Sequence, residues 1–298
     1  MERITVFTPT YNRATSLHRV YESLCLQTYT DFLWIIVDDG SNDNTKEIVK
    51  KFQSSSKFKI IYIYEENRGK HCAINRALME TTSEFFLIAD SDDSFTNDAL
   101  QTFIEVYDSI PDAKKSQFKG VIAKCYNGET GEPIGKFPKE IFDGNDLDSL
   151  FKLKLRFEKW NIIKTSIMKE IPFPEPDEKL KFFPETVVWC RMARKYKTRY
   201  VDKCLRAYYH DQSNSIVKNT DRSKETRYLW LYYINEAMDY LWKSPKYFFQ
   251  AFIGLSRDTI LCCKKLCDTK KEINKLWKRL IFTLLIPIGY LFAKKKRG

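Results

Sequence analysis

The sequence predicts an α/β protein, with a mostly parallel sheet flanked by helices and a helical extension at the C-terminal end. Three observations carry this. Short β-branched and aromatic runs alternate with segments whose apolar residues recur three and four apart, over residues 4–107. Four of those runs stop abruptly in polar clusters, which is where ligands bind in parallel sheets. The net charge of +11 is gathered near the end of the chain rather than spread along it.

The elements follow in order. Ile4–Phe7 reads as a first strand, ended by Thr8-Pro9. A helix is expected over about 15–26, where Leu17, Val20, Tyr21 and Leu24 share a face. Phe32–Val37 is a second, buried strand, closed by Asp38-Asp39-Gly40-Ser41. Asn44 or Thr45 caps a helix running to about Phe52. Lys59–Tyr64 is a third strand, Glu65–Lys70 a polar loop, and His71–Met79 a helix. Phe85–Ala89 is a fourth strand, ended by Asp90-Ser91-Asp92-Asp93 and followed by a helix from about Asn97 to Tyr107. Strands alternating with ten-residue helices imply right-handed crossovers and a parallel sheet. Further on, Gly120–Tyr126 reads as a strand and Gly128–Phe142 as a turn-rich hairpin or excursion. Ile171–Phe183, with three prolines, is an irregular loop; Glu185–Tyr196 is a helix and Thr198–Tyr209 a strand. From about Ser223 the pattern is helical, to Tyr240 and again over 245–267.

Composition bounds the function. Of 298 residues, 43% are hydrophobic, enough for a sizeable core in one large domain with an appendage or in two modest domains. Eight cysteines form no CxxC pair, and three His are too few for an obvious zinc site. The chain opens on a strand pattern rather than on a signal peptide, so a reducing, cytoplasmic location with free thiols is expected. Residues 264–298 hold eleven Lys and Arg against two acids, so nine of the eleven net charges sit there. They border an apolar run, not an aromatic-lined groove, which argues against nucleic acid as the partner. The run Ile281–Ala293 contains Pro287 and Gly289 and is shorter than the roughly 20 residues a crossing needs. An interfacial segment on anionic lipid is expected; a helix packed on the protein with a solvated basic end is the alternative.

Three constellations carry chemistry. Asp90-Ser91-Asp92-Asp93 places three carboxylates within four residues at a strand end, a costly arrangement unless a cation sits among them. Mg²⁺ or Mn²⁺ suits such oxygens and leaves positions open for phosphate. An acidic turn capping the next helix is the plainer alternative. Asp38-Asp39-Gly40-Ser41 offers carboxylates for a base or ribose, or an Asx turn. Thr8–Arg13 offers Tyr11 as a stacking ring, or a surface residue of an ordinary turn.

The segments TPTYNR, IIVDDGSNDNT, ENRGKHCAINRAL and LIADSDD, in this order and spacing, resemble the nucleotide-binding half of the family 2 glycosyltransferases. These are inverting enzymes of the glycosyltransferase A fold. The resemblance is close over about 3–110 and weaker to about 217. It implies a catalytic domain over 1–217, with a nucleotide-binding half (1–110) and an acceptor half (111–217), and an extension over 218–298. It implies that Tyr11 flanks the uracil, Asp39 binds its edge, and Thr8 and Pro9 shape the pocket. Lys70 would reach the nucleotide. Asp92 would ligate Mn²⁺ or Mg²⁺ on the diphosphate, Asp90 would face the ribose or the metal, and Asp93 stands behind them. Phe183-Pro184-Glu185-Thr186 with Trp189 resembles the acceptor-side motif, with Glu185 as general base. Many relatives carry Glu-Asp there, so Thr186 leaves one candidate; a helix first-turn acid is the alternative. Tyr209–Ser215 resembles the family's terminal segment, in which His210 would complete the metal or diphosphate contacts, unless it is structural. The expected reaction passes a sugar from a nucleotide-sugar, by resemblance a UDP-sugar, to a glycan or lipid-linked acceptor in cell-surface polysaccharide assembly. The rival readings are a binding-only relative and a nucleotidyltransferase. The latter usually opens on a Gly-rich loop, and Thr8–Arg13 contains no Gly.

Overall fold

The computed structural model of the chain describes residues 2–209 and 221–297. They form two compact units, Met1–Lys179 with Val188–Ser213, and Leu180–Val187 with Asn214–Gly298.

The first unit opens with β1 (Ile4–Thr10), α1 (His18–Cys25), β2 (Phe32–Asp38), α2 (Thr45–Ser55), β3 (Ile60–Tyr64), α3 (Lys70–Glu80) and β4 (Phe85–Ile88). These strands lie in the order β3-β2-β1-β4, all parallel, with Ile4 level with both Phe32 and Phe85. β1, β2 and β4 are almost wholly buried, as continuous apolar runs in a covered sheet must be. One face carries α1 and α2, whose Val20, Leu24, Val49 and Phe52, with Leu17 just before α1, pack with Val6, Trp34 and Ile36. Each such side chain contributes roughly 1.5–3 kcal/mol on burial. α3 packs against β1 and β2. The common strand direction sends the four polar clusters to a single edge of the sheet.

The unit continues with β5 (Ser94–Phe95), α4 (Ala99–Asp108), α5 (Asp112–Lys115), β6 (Phe118–Asn127), β7 (Pro133–Ile134), β8 (Ile141–Gly144), α6 (Asp146–Phe151), β9 (Lys159–Lys164), α7 (Thr165–Glu170), α8 (Glu185–Met192), whose first three residues are assigned to the second unit, and β10 (Lys197–Tyr208). The sheet extends as β4-β9-β6-β10-β5, with β7 on β6 and β8 on β10. It is therefore parallel in its first half and mixed in its second, because β9 runs antiparallel to both β4 and β6. No strand was expected over 159–164, whose lysines and asparagine interrupt its apolar run. Gly120 lets β9 approach β6: a Cβ there would stand 1.9 Å from the Ile162 carbonyl oxygen. The turn-rich segment after β6 does return as a hairpin through β7.

The second unit holds α9 (Ser223–Glu236), α10 (Met238–Leu241), α11 (Pro245–Leu261), α12 (Leu266–Glu272) and α13 (Leu276–Arg297). The single helix expected over 245–267 is broken, with Cys263 at a positive φ of 57°. α13 corrects the expected thirteen-residue run. It is one helix of 22 residues, about 33 Å long at 1.5 Å per residue, and it runs through Pro287. Leu276–Lys296 is long and apolar enough to cross a membrane by length and composition. The penalty at Pro287 is met by packing along α11. A Cβ on Gly289 would lie 1.7 Å from Ser256 Oγ, so only glycine permits this approach.

Candidate active site

The site is built where β1, β2 and β4 end. The loop after β1 turns at Asn12, whose φ is 53°. It is tied to the loop after β2: Asn12 N–H donates to Ser41 Oγ (2.8 Å), Asn42 N–H to Asn12 Oδ1 (2.8 Å) and Ala14 N–H to Asp43 Oδ2 (3.0 Å). Tyr11 stands exposed between these tethers, with Pro9 half-buried below it in the chain. Thr8 is fully buried, and its hydroxyl accepts from the Trp34 indole N–H (2.9 Å), so it supports the turn from within the core.

The two aspartates after β2 do different work. Asp38 closes an Asx-type turn: it accepts from Ser41 N–H (2.8 Å) and from the Tyr62 hydroxyl (2.6 Å), and burial together with that carboxylate raises the Tyr62 phenol. Asp39 reaches across to the loop before α3. It accepts from Arg68 N–H (2.7 Å), Gly69 N–H (2.9 Å) and Asn67 Nδ2 (3.1 Å). Burial raises its pKa, against the pull of the two backbone donors. Gly69, at φ 98°, adopts a conformation open chiefly to glycine and starts α3 at Lys70.

Lys70 then extends to Asp90 at the end of β4, with 2.6 Å between Nζ and Oδ1. A continuous chain of contacts therefore joins Asp39 to Asp90 through the Gly69 turn and Lys70. The acidic cluster itself is a tight turn, with Asp93 N–H donating to the Asp90 carbonyl (3.1 Å). Burial works against ionised Asp90, but Lys70, Arg206 and Arg13 outweigh it and hold its pKa low. Asp92 is the reverse case: burial and the charge of Asp90 raise it, and Arg13 approaches only to 3.7 Å. Asp93 points inward, 3% exposed, and is paired with Arg206 at 3.0 Å. Arg206 on β10 also lies 3.9 Å from Asp90 and 3.4 Å from Glu158. Tyr209 braces the same loop, its ring under Arg19 (4.1 Å) and its hydroxyl 3.1 Å from Ser94 Oγ.

These residues fit a hard divalent cation in part. Two outward carboxylates, Asp90 and Asp92, stand two residues apart, and the counter-charge of Asp92, Arg13, stands off at 3.7 Å rather than in hydrogen-bond contact. Among the described residues no three Asp, Glu, His or Cys side chains converge as a ready-made cage. A cation here would take its other ligands from water or phosphate oxygens, as Mg²⁺ commonly does. His210 lies outside the described residues. Glu185 is half-buried in the first turn of α8 and belongs to the second unit.

Arg206 was not expected in the site, and Arg13 and Asn67 lie within the motifs read above but carried no assigned role there. Arg206 carried a signal, as an arginine inside the apolar run Cys204–Ala207; such a residue is rarely buried without a partner.

The family model of glycosyl transferase family 2 matches residues 5–162, more than half of the chain. The chain belongs to that family. An uncharacterized glycosyltransferase of Nostoc is 34% identical over 35% of this chain and 33% of its own length. A Campylobacter jejuni GalNAc(5)-diNAcBac-PP-undecaprenol β-1,3-glucosyltransferase is 25% identical over 77% of this chain and 72% of its own. The chain thus spans a third of one relative and most of the other. Among solved structures, Staphylococcus aureus TarS residues 1–349 with UDP-GlcNAc aligns at a TM-score of 0.60 and 20% identity, covering 92% of this chain and 82% of that one. This likeness establishes the glycosyltransferase A fold.

Proposed function

We propose that this family 2 glycosyltransferase transfers a hexosyl or N-acetylhexosaminyl group, with inversion, from a UDP-sugar to a hydroxyl of a glycan or lipid-linked acceptor in cell-surface polysaccharide assembly. The observation that carries this reading is the chain of contacts from Asp39 through Gly69 and Lys70 to Asp90, which spans the mouth of the parallel sheet. The Campylobacter relative is named for a lipid-linked acceptor and the TarS structure for UDP-GlcNAc, and both support the substrate classes.

In this reading the uracil lies between Tyr11 and Asp39, over the turn that Thr8 and Pro9 shape. The diphosphate lies toward Lys70 and Asp90, where Lys70 offers a positive charge to the leaving group. Asp92 and Asp90, with His210 as a further ligand, would hold Mn²⁺ or Mg²⁺, which supplies charge neutralisation on the departing diphosphate when bound. Glu185 removes the proton from the acceptor hydroxyl as its oxygen attacks the anomeric carbon opposite the diphosphate. One displacement suffices, so no covalent sugar–enzyme bond forms. The catalytic part is assigned to 1–217 and the membrane-associating part to 218–298, with attachment through 264–298 to the cytoplasmic face of the cell membrane.

The test is product analysis. The protein should release UDP from one member of a UDP-sugar panel when given undecaprenyl-diphosphate-linked saccharide. NMR of the product should show the anomeric configuration opposite to the donor's. Retained configuration, or turnover only with GDP- or dTDP-sugars, would sink the corresponding part of the reading. Tyr11→Ala should weaken UDP binding by about 1–3 kcal/mol through lost stacking, measured by titration.

A further inference from the structure

α13 is built inside out for a helix in water. Its buried residues, Lys278, Phe282, Gly289 and Ala293, line the face packed on the rest of the second unit. Lys278 donates to the Ile234 carbonyl (2.6 Å) near the C-terminal end of α9, where a cation is favoured. The opposite face is the exposed one, and it carries Leu276, Leu280, Leu284, Ile288 and Leu291, with Leu284 at 76% exposure. Between Arg279 and Lys294 the helix has no charged residue at all. A surface helix ordinarily shows water its polar side, and so continuous an exposed apolar stripe marks an interaction surface. Beside it, Trp242 and Trp277 meet edge to face at 6.2 Å, both exposed, a residue type favoured at the membrane–water boundary.

We infer that this stripe seats α13 lengthwise in the surface of an anionic lipid bilayer, parallel to its plane, with the helix remaining packed on α11. This rests on, and makes specific, the membrane attachment proposed above. Lipid is the occupant that the charge selects: the stripe is bounded by Lys275 and Arg279 at one end and by Lys294–Lys296 at the other. A crossing would have to strip α13 from α11, opening the contact at Gly289, or carry α11 with it. α11 holds the ion pair Arg257–Asp258, with Asp258 also accepting from Thr226 and Trp230, which is costly in hydrocarbon.

The full-length protein should sediment with phosphatidylcholine vesicles containing phosphatidylglycerol, and at least about tenfold less with phosphatidylcholine alone. L280E/L284E/I288E, altering only outward-facing positions, should lower partition by about tenfold or more while the thermal melt is kept. Brominated phosphatidylcholine in the anionic vesicles should quench tryptophan fluorescence, and W242F/W277F should abolish most of that quenching. Unchanged partition of the glutamate variant, or unchanged quenching of the phenylalanine variant, would overturn the inference. So would a dimer in lipid-free solution that the glutamates split, if it came with no vesicle binding; the face would then serve a second copy. A tag placed after Gly298 should be cut by protease added outside the vesicles; its protection until detergent is added would overturn the in-plane placement. None of these readouts needs nucleotide, so failure here leaves the transferase reading standing.

Discussion

Glu185→Gln is expected to lower sugar transfer by about 10²–10⁴-fold while UDP affinity stays within about threefold of the wild type. The substitution keeps the size and shape of the side chain and removes its capacity to take a proton near neutral pH. General-base catalysis is lost and the groups assigned to the nucleotide are untouched. Thr186 makes the test sharp, because the next residue in the chain offers no carboxylate to take over. Steady-state rates and UDP titrations on the same preparation separate the outcomes. Turnover within threefold of wild type would place the base elsewhere. Loss of UDP binding together with turnover would make Glu185 a structural acid of the α8 first turn.

The second large effect is at Arg206. Its guanidinium is buried beside Asp93 (3.0 Å), Glu158 (3.4 Å) and the Cys125 sulfur (3.3 Å). Arg206→Met would leave Asp93 buried without its counter-charge, and removal of one member of such a pair costs about 3–5 kcal/mol. Denaturant unfolding of the single variant should show that loss. The double variant R206M/D93L removes both charges of the buried pair and should recover most of it, since well-packed apolar replacements of buried pairs are often neutral or better. Additive losses in the double variant would mean that Arg206 serves Asp90 and Glu158 rather than Asp93.

The first half of the fold was legible because β1, β2 and β4 are buried on both faces and therefore read as uninterrupted apolar runs. Each ends in a polar cluster, which puts Tyr11, Asp39, Asp90 and Asp92 at one sheet edge; Lys70 reaches the same edge from the loop after the less buried β3. The partners of these residues were less legible. Asp39 holds backbone N–H groups of Arg68 and Gly69, and backbone donors have no signature in side-chain identity. Arg206 meets Asp93 only through the pairing of β10 with β5, a contact across more than a hundred residues. β9 was missed because its place in the sheet is owed to Gly120 on another strand. α13 was underestimated because Pro287 and Gly289 are breakers by local preference, and tertiary packing overrides that preference here.

In the proposed mechanism, nucleotide and divalent cation meet at the end of β4. Calorimetric titration of UDP into the wild type and into Asp92→Ala, each with and without Mn²⁺, tests it most directly. Wild-type affinity should rise at least about tenfold with Mn²⁺, a gain of about 1.4 kcal/mol, and Asp92→Ala should abolish that gain. Equal affinity with and without the metal, or a metal response that survives Asp92→Ala, would contradict the claim.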